Sequence, residues 1–202
     1  MDTDNELIQE KLAMDIISGS MYSTNLLKNL TVAIFDPNLK SLTVGDFYDQ
    51  WTKMCGFTDN YNSYIPYSFG SIVGYLYCGI LLSKEKWFDL LPEDKIDEAS
   101  SDWGFSSATY SSPRKPSPTI RYAIRRMRNA LGHGNILINV PPGIKRDKND
   151  KDDFEKKVTM KFHDEDPWKP GDTFDIEITL FGLATAIRKF QGIAYKHVSP
   201  KK

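Results

Sequence analysis

Cysteine and histidine are scarce in this chain. Its 202 residues include two cysteines, Cys55 and Cys78, and three histidines, His133, His163 and His197. Two cysteines cannot build a disulfide framework or a Cys-rich zinc knot, which suits a reducing compartment. Neither His163 nor His197 has a second His or Cys at ligand spacing, so no metal is expected. Long apolar runs are missing too. The longest, Ser71 to Leu82, is broken by Gly74 and Gly79 and falls short of the roughly 20 residues a membrane span requires. It reads as a core helix, with Cys78 a buried thiol. The acidic start, Met1 to Glu6, does not resemble a signal peptide. A cytoplasmic protein with no membrane partner is expected. Gly-rich phosphate loops, a dinucleotide fingerprint and a Gly-x-Ser-x-Gly elbow are all absent, so no cofactor is expected.

The net charge of −1 excludes a uniformly basic polynucleotide binder. Yet acid is missing locally. From Trp103 to Arg146 there is no Asp or Glu, while Arg114, Lys115, Arg121, Arg125, Arg126, Arg128, Lys145 and Arg146 all fall inside. Acidic residues crowd both flanks, from Asp89 to Asp102 and from Asp147 to Asp153. Such a block reads as an anion-binding patch or as a solvated basic helix face.

The apolar pattern is mainly helical. Leu7 to Leu30 reads as a helix with Ile8, Leu12, Ile16 and Ile17 on one side, and Gly19-Ser20 is a possible break. Thr43-x-x-Asp46 resembles a capping box before the stripe Val44, Phe47, Trp51 and Met54, with Gly56 as a stop. Helices are expected over about 67–83 and 84–91. Between them and the first strand, 103–118 reads as a mobile Ser/Pro loop. A helix over 118–133 buries Ile120, Ile124, Met127 and Leu131 at i, i+4, i+7 and i+11. Arg121, Arg125 and Arg128 then share its polar side. After Gly134 the period drops to two. Strands are expected over 135–140, 157–162 and 174–179, with a charged connector from Lys145 to Asp153. A last helix covers 180–197. The expected fold is mainly α: one domain over 1–202, an antiparallel helical bundle with a small antiparallel sheet of two or three strands before the C-terminal helix.

The 118–133 helix ends in Arg128-Asn129-Ala130-Leu131-Gly132-His133-Gly134-Asn135. Arginine is a permanent cation suited to phosphate, and histidine exchanges protons near neutral pH. Asn129 adds a neutral amide. These are parts for cleaving a phosphodiester without a metal: His133 as general base or acid on a ribose 2′-hydroxyl, Arg128 stabilising transition-state charge, Asn129 holding a phosphate oxygen or orienting the histidine. Alternatively, His133 simply caps the helix C-terminus and Arg128 is a surface charge. Five residues turn an ideal helix by about 500°, so Arg128 and His133 diverge by roughly 140° and one chain pairs them poorly. A two-fold contact between motif helices would gather four side chains around one phosphate.

The motif resembles the HEPN family, whose members carry an arginine, often followed by Asn, Asp or His, then a histidine a few residues on. The strands and last helix look like a bacterial or plasmid-borne branch that adds strands after an RN-x-x-x-HG motif. The resemblance implies a homodimeric, metal-independent endoribonuclease with Arg128, Asn129 and His133 as catalytic residues, of a kind found in toxin and anti-phage systems. Regulation by an antitoxin or another protein goes with that reading. The alternative is an inactive module that binds RNA, a nucleotide or a protein. RNA contacts are expected from Arg114, Lys115, Arg121, Arg125 and Arg126. Two features read as structural: His163-Asp164-Glu165-Asp166 as a solvated turn rather than a cation site, and Tyr61, Tyr64 and Tyr67 as packing residues rather than base-stacking ones.

Overall fold

A computed structural model of the chain describes residues 2–56, 69–142 and 155–199. The tyrosine loop of Tyr61, Tyr64 and Tyr67 and the Lys145–Asp153 connector lie outside the described residues, as do the side chains of Ile8, Leu12, Ile16 and Ile17. The chain forms two compact units, Met1–Tyr75 and Leu76–Lys202.

In the first unit, α1 (Asp2–Phe35) runs without a break, so Gly19-Ser20 does not split it. Ser23 and Thr24 spend their hydroxyls on the carbonyls of Gly19 and Ser20, four residues back. That satisfies the hydroxyls without interrupting the helix. Helix α2 (Val44–Met54) starts where the capping signal lies: Thr43 Oγ1 accepts from the Asp46 N–H at 3.1 Å. The Asp46 carboxylate returns to the Thr43 hydroxyl at 2.6 Å rather than to its N–H, since Asp is one methylene shorter than the usual Glu. Trp51 is buried and donates its indole N–H to Asn25 Oδ1 at 2.8 Å. Helix α3 (Phe69–Leu76) ends at the unit boundary.

The second unit begins with a π-helical turn, Tyr77–Leu81. Here Cys78 is exposed, not buried, because the wider turn shifts which residues of the apolar run face inward. Short helices α4 (Glu85–Phe88) and α5 (Ser100–Trp103) follow. The motif helix is α6 (Ile120–Gly132), capped by Thr119. Strands β1 (Thr109–Ser111), β2 (Ile136–Asn139), β3 (Thr159–Glu165) and β4 (Thr173–Thr179) form one antiparallel sheet in the order β1-β4-β3-β2. Helix α7 (Leu180–Val198) closes the described chain.

The sheet therefore has four strands rather than two or three. The extra strand comes from the Ser/Pro stretch, where Thr109, Tyr110 and Ser111 pair with Glu177, Ile176 and Asp175. A three-residue edge strand carries too little alternation to register as a pattern. Met160 and Phe162 on β3, with Phe174, Ile176 and Ile178 on β4, are fully or almost fully buried. Helix α6 packs against β3 through the expected face of Ile120, Ile124, Met127 and Leu131, each at most 2% exposed. The chain just after α5 and the start of α7 meet at two glycines. A Cβ built on Gly104 would lie 2.2 Å from the Gly182 carbonyl oxygen. No helix among the described residues is long and apolar enough to cross a membrane.

Candidate functional site on the motif helix

The end of α6 is fixed by backbone bonds. The Gly134 N–H donates to the Leu131 carbonyl at 3.2 Å and the Asn135 N–H to the Ala130 carbonyl at 2.8 Å. Gly134 has φ of 72°. This pairing with a left-handed glycine is a Schellman termination, and it turns the chain straight into β2. His133 is the C-cap residue and is exposed. No described residue hydrogen-bonds its ring.

Two faces of α6 use their arginines differently. On the outer side, Arg121 donates to the backbone carbonyls of Leu91 at 2.7 Å and Asp89 at 2.8 Å, and pairs with Glu93 at 2.8 Å. Arg125 pairs with Asp89 at 2.8 Å and with Glu85 at 3.6 Å. Arg128 pairs with Glu85 at 3.1 Å, its guanidinium 5.7 Å from the Phe88 ring centre. The acidic flank that precedes the basic block thus folds onto it.

The inner side carries Arg126. It is 8% exposed and ion-paired to both Asp164 and Asp172, at 3.0 Å to the latter. It also donates to the Asp164 carbonyl at 2.9 Å and the Asp172 carbonyl at 2.8 Å. Asn129, one turn further on, donates its amide N–H to Asp164 Oδ2 at 3.4 Å. Asp164 is 3% exposed. Burial pushes its carboxyl above the ordinary value; Arg126, the Asn129 bond and His133 all pull the other way, and Asp166 adds a small push up. Because the donor end of the Asn129 amide is directed at Asp164, its Oδ1 is the group that remains for another partner. An acceptor suits a donor such as an imidazole or ribose N–H or O–H better than it suits a phosphate oxygen.

A family model described as HEPN pEK499 p136 matches residues 6–201. The chain belongs to the HEPN family. No curated protein and no solved structure matches it.

In this HEPN chain, then, Asn129 is bonded to a buried carboxylate whose charged form His133 also favours, while Arg128 is turned toward Glu85. Arg126 was expected to touch RNA; its guanidinium is instead buried between two aspartates and is not accessible to a polyanion. Arg114 donates to the Pro170 carbonyl at 3.1 Å, and Lys115 lies 4.7 Å from the Tyr122 ring centre. Among the described residues no group of three His, Cys, Asp or Glu is placed to hold a metal ion.

Sequence reasoning missed Glu85, Asp164 and Asp172. The tetrad His163–Asp166 is not a solvated turn, since His163, Asp164 and Glu165 belong to β3. A signal existed for Asp164: the inward alternation Met160, Phe162 continues to 164, which aims a carboxylate at the core face. Position 126 likewise sits between the buried Ala123 and Ala130 on α6. Two such buried charges must meet, because neither is tolerated inside alone. His163, on the opposite face of the sheet, pairs with Asp175 at 3.0 Å.

Proposed function

We propose that this HEPN chain is an RNA-directed module that cleaves a phosphodiester without a metal, using the motifs of two copies. The observation that carries the reading is the exposed His133 imidazole, presented on a rigid helix end and free of hydrogen bonds to described residues, beside Asn129 tethered to Asp164. His133 takes or gives the proton of the ribose 2′-hydroxyl. Asn129 Oδ1 orients the proton-bearing group. Arg128 meets the charge that builds on the phosphate. Its pair with Glu85 is one-third exposed on the arginine side, and exposed pairs contribute at most about 1 kcal/mol, so a phosphate competes readily. A second copy supplies the arginine that the divergence along one helix keeps from its own histidine.

The test is purified protein incubated with mixed RNAs in EDTA, beside His133→Ala and Arg128→Ala. Cleavage by the parent, lost in both variants at unchanged fold, supports the reading. Full cleavage by His133→Ala sinks it.

One observation favours a second reading, a binding module without cleavage. Arg121, Arg125 and Arg126 are all engaged by groups of their own chain, which leaves fewer cations for a substrate than the sequence offers. RNA retention without cleavage in EDTA would select it. Action as a toxin or phage-defence effector belongs with the first reading; growth arrest on expression, relieved by His133→Ala, checks it.

A further inference from the structure

Trp168 is 89% exposed, the most exposed of the large apolar side chains described. It stands at the tip of the β3–β4 hairpin, in Asp166-Pro167-Trp168-Lys169-Pro170-Gly171. The turn beneath it is held by four hydrogen bonds. The Trp168 N–H donates to Asp166 Oδ1 at 2.9 Å. The Lys169 N–H donates to the Asp166 carbonyl at 3.1 Å, Asp172 to Lys169 at 2.9 Å and Asp166 to Asp172 at 3.0 Å. Two prolines fix their own φ angles. An indole held out on so constrained a backbone is preorganised: little ordering entropy remains to be lost when something covers it.

The surrounding charge indicates what covers it. Among the described cations of the basic block, Arg114 and Lys115 alone have no carboxylate partner. Arg114 is bonded to Pro170, two residues from the indole, and Lys115 belongs to the same loop. Lys169 adjoins it in sequence. Two of the acids at this turn are occupied: Asp172 by Arg126 at 3.0 Å, and Asp166 by the Trp168 N–H and by Lys169 at 3.8 Å; Glu165 is exposed on the sheet face of His163. A flat exposed ring beside uncompensated cations suits a stacked base with its phosphates. The platform is also tied to the motif. Asp164 and Asp172, which hold Arg126 and Asn129, each stand four residues from Trp168, at most about 14 Å of extended chain.

We propose that Trp168 is a stacking platform for a base of single-stranded RNA, with Arg114 and Lys115 holding the adjacent phosphates. The inference rests on the RNA-directed reading above and assigns that substrate a second point of contact, away from the reacting phosphate.

The test measures binding of a 2′-O-methyl oligouridine of about 12 nucleotides, which lacks the attacking hydroxyl. The full chain, Trp168→Ala and Trp168→Phe are compared, with inorganic polyphosphate as a polyanion without bases. Trp168→Ala is expected to raise the Kd for RNA roughly 5- to 100-fold. Trp168→Phe should stay within about threefold of the parent because it keeps a ring. Polyphosphate binding should be unchanged in both. Equal RNA affinity in parent and Trp168→Ala overturns the platform and leaves the RNA reading standing. A loss of self-association in Trp168→Ala, with RNA affinity intact, overturns it in favour of a protein contact. A parent that binds no RNA overturns both.

Discussion

At the residue scale, Glu85 and Asp164 govern the motif from opposite sides. Glu85 pairs with both Arg125 and Arg128. Glu85→Gln should release Arg128, while Arg125 keeps Asp89 at 2.8 Å, and so tighten RNA binding and steepen its dependence on salt by about one in the log–log slope. Titrations at several salt concentrations check this; an unchanged slope means Arg128 is not at the RNA surface. Asp164 is half of a buried pair, and removing one partner of such a pair costs about 3–5 kcal/mol. Because Asp172 still engages Arg126, Asp164→Asn should fall near the lower end in urea unfolding. Its pH dependence has a definite sign. The folded carboxyl titrates above its unfolded value, so the folded chain binds the extra proton. The stabilisation is full below the unfolded pKa and is lost as pH rises through the raised, folded one. The stability gap between parent and Asp164→Asn should therefore narrow with rising pH across that window. A gap that widens there would contradict the assignment.

At the element scale, α6 depends on how it ends. Gly134 has φ of 72°, a region that costs a side-chain-bearing residue about 1–2 kcal/mol. Gly134→Ala should lose about that much stability and, by loosening the cap, blur the position of His133. The junction of α5 and α7 is tighter. A Cβ on Gly182 would meet the Gly104 carbonyl oxygen at 2.2 Å, and backbone does not yield as a flexible side chain does. Gly182→Ala should destabilise by about 1–3 kcal/mol or more, read as a lowered Tm with α6 itself unaltered in sequence. An unshifted Tm would mean the two segments separate easily.

At the scale of the whole molecule, the proposed site draws its residues from two copies. Arg128 faces Glu85, and His133 lies at the far end of the helix, so a site built from both is expected to need a second copy. Activity should fall with dilution in step with dimer dissociation, followed by sedimentation across the same concentrations. A strictly monomeric species with full activity would contradict the two-copy site. The surface charge adds to this picture. With the outer arginines of α6 paired within their own chain, the positive field on that face is weaker than the acid-free stretch alone suggests.

The sequence by itself determined the elements that have strong local signals. The period of Ile120, Ile124, Met127 and Leu131 set the buried face of α6, Thr43 marked a helix start, and the strict alternation around Phe162 and Ile176 gave two strands. The motif itself, Arg128-Asn129 and His133 before Gly134, was legible as a string because its residue types are contiguous. What lay beyond the sequence was pairing at a distance. Thr109–Ser111 becomes a strand only because β4 offers an edge, and Cys78 is exposed only because a π turn alters the phase of its helix. Arg126 was counted among the RNA-binding residues because its charge is visible in the sequence and its burial is not. Its partners stand 38 and 46 residues away, and the carboxylate that orients Asn129 stands 35 residues from it. A local pattern records which face a side chain occupies, but which charge meets it there is decided by how helix and sheet pack, since a buried ion is tolerated only where the fold brings its counter-ion to it.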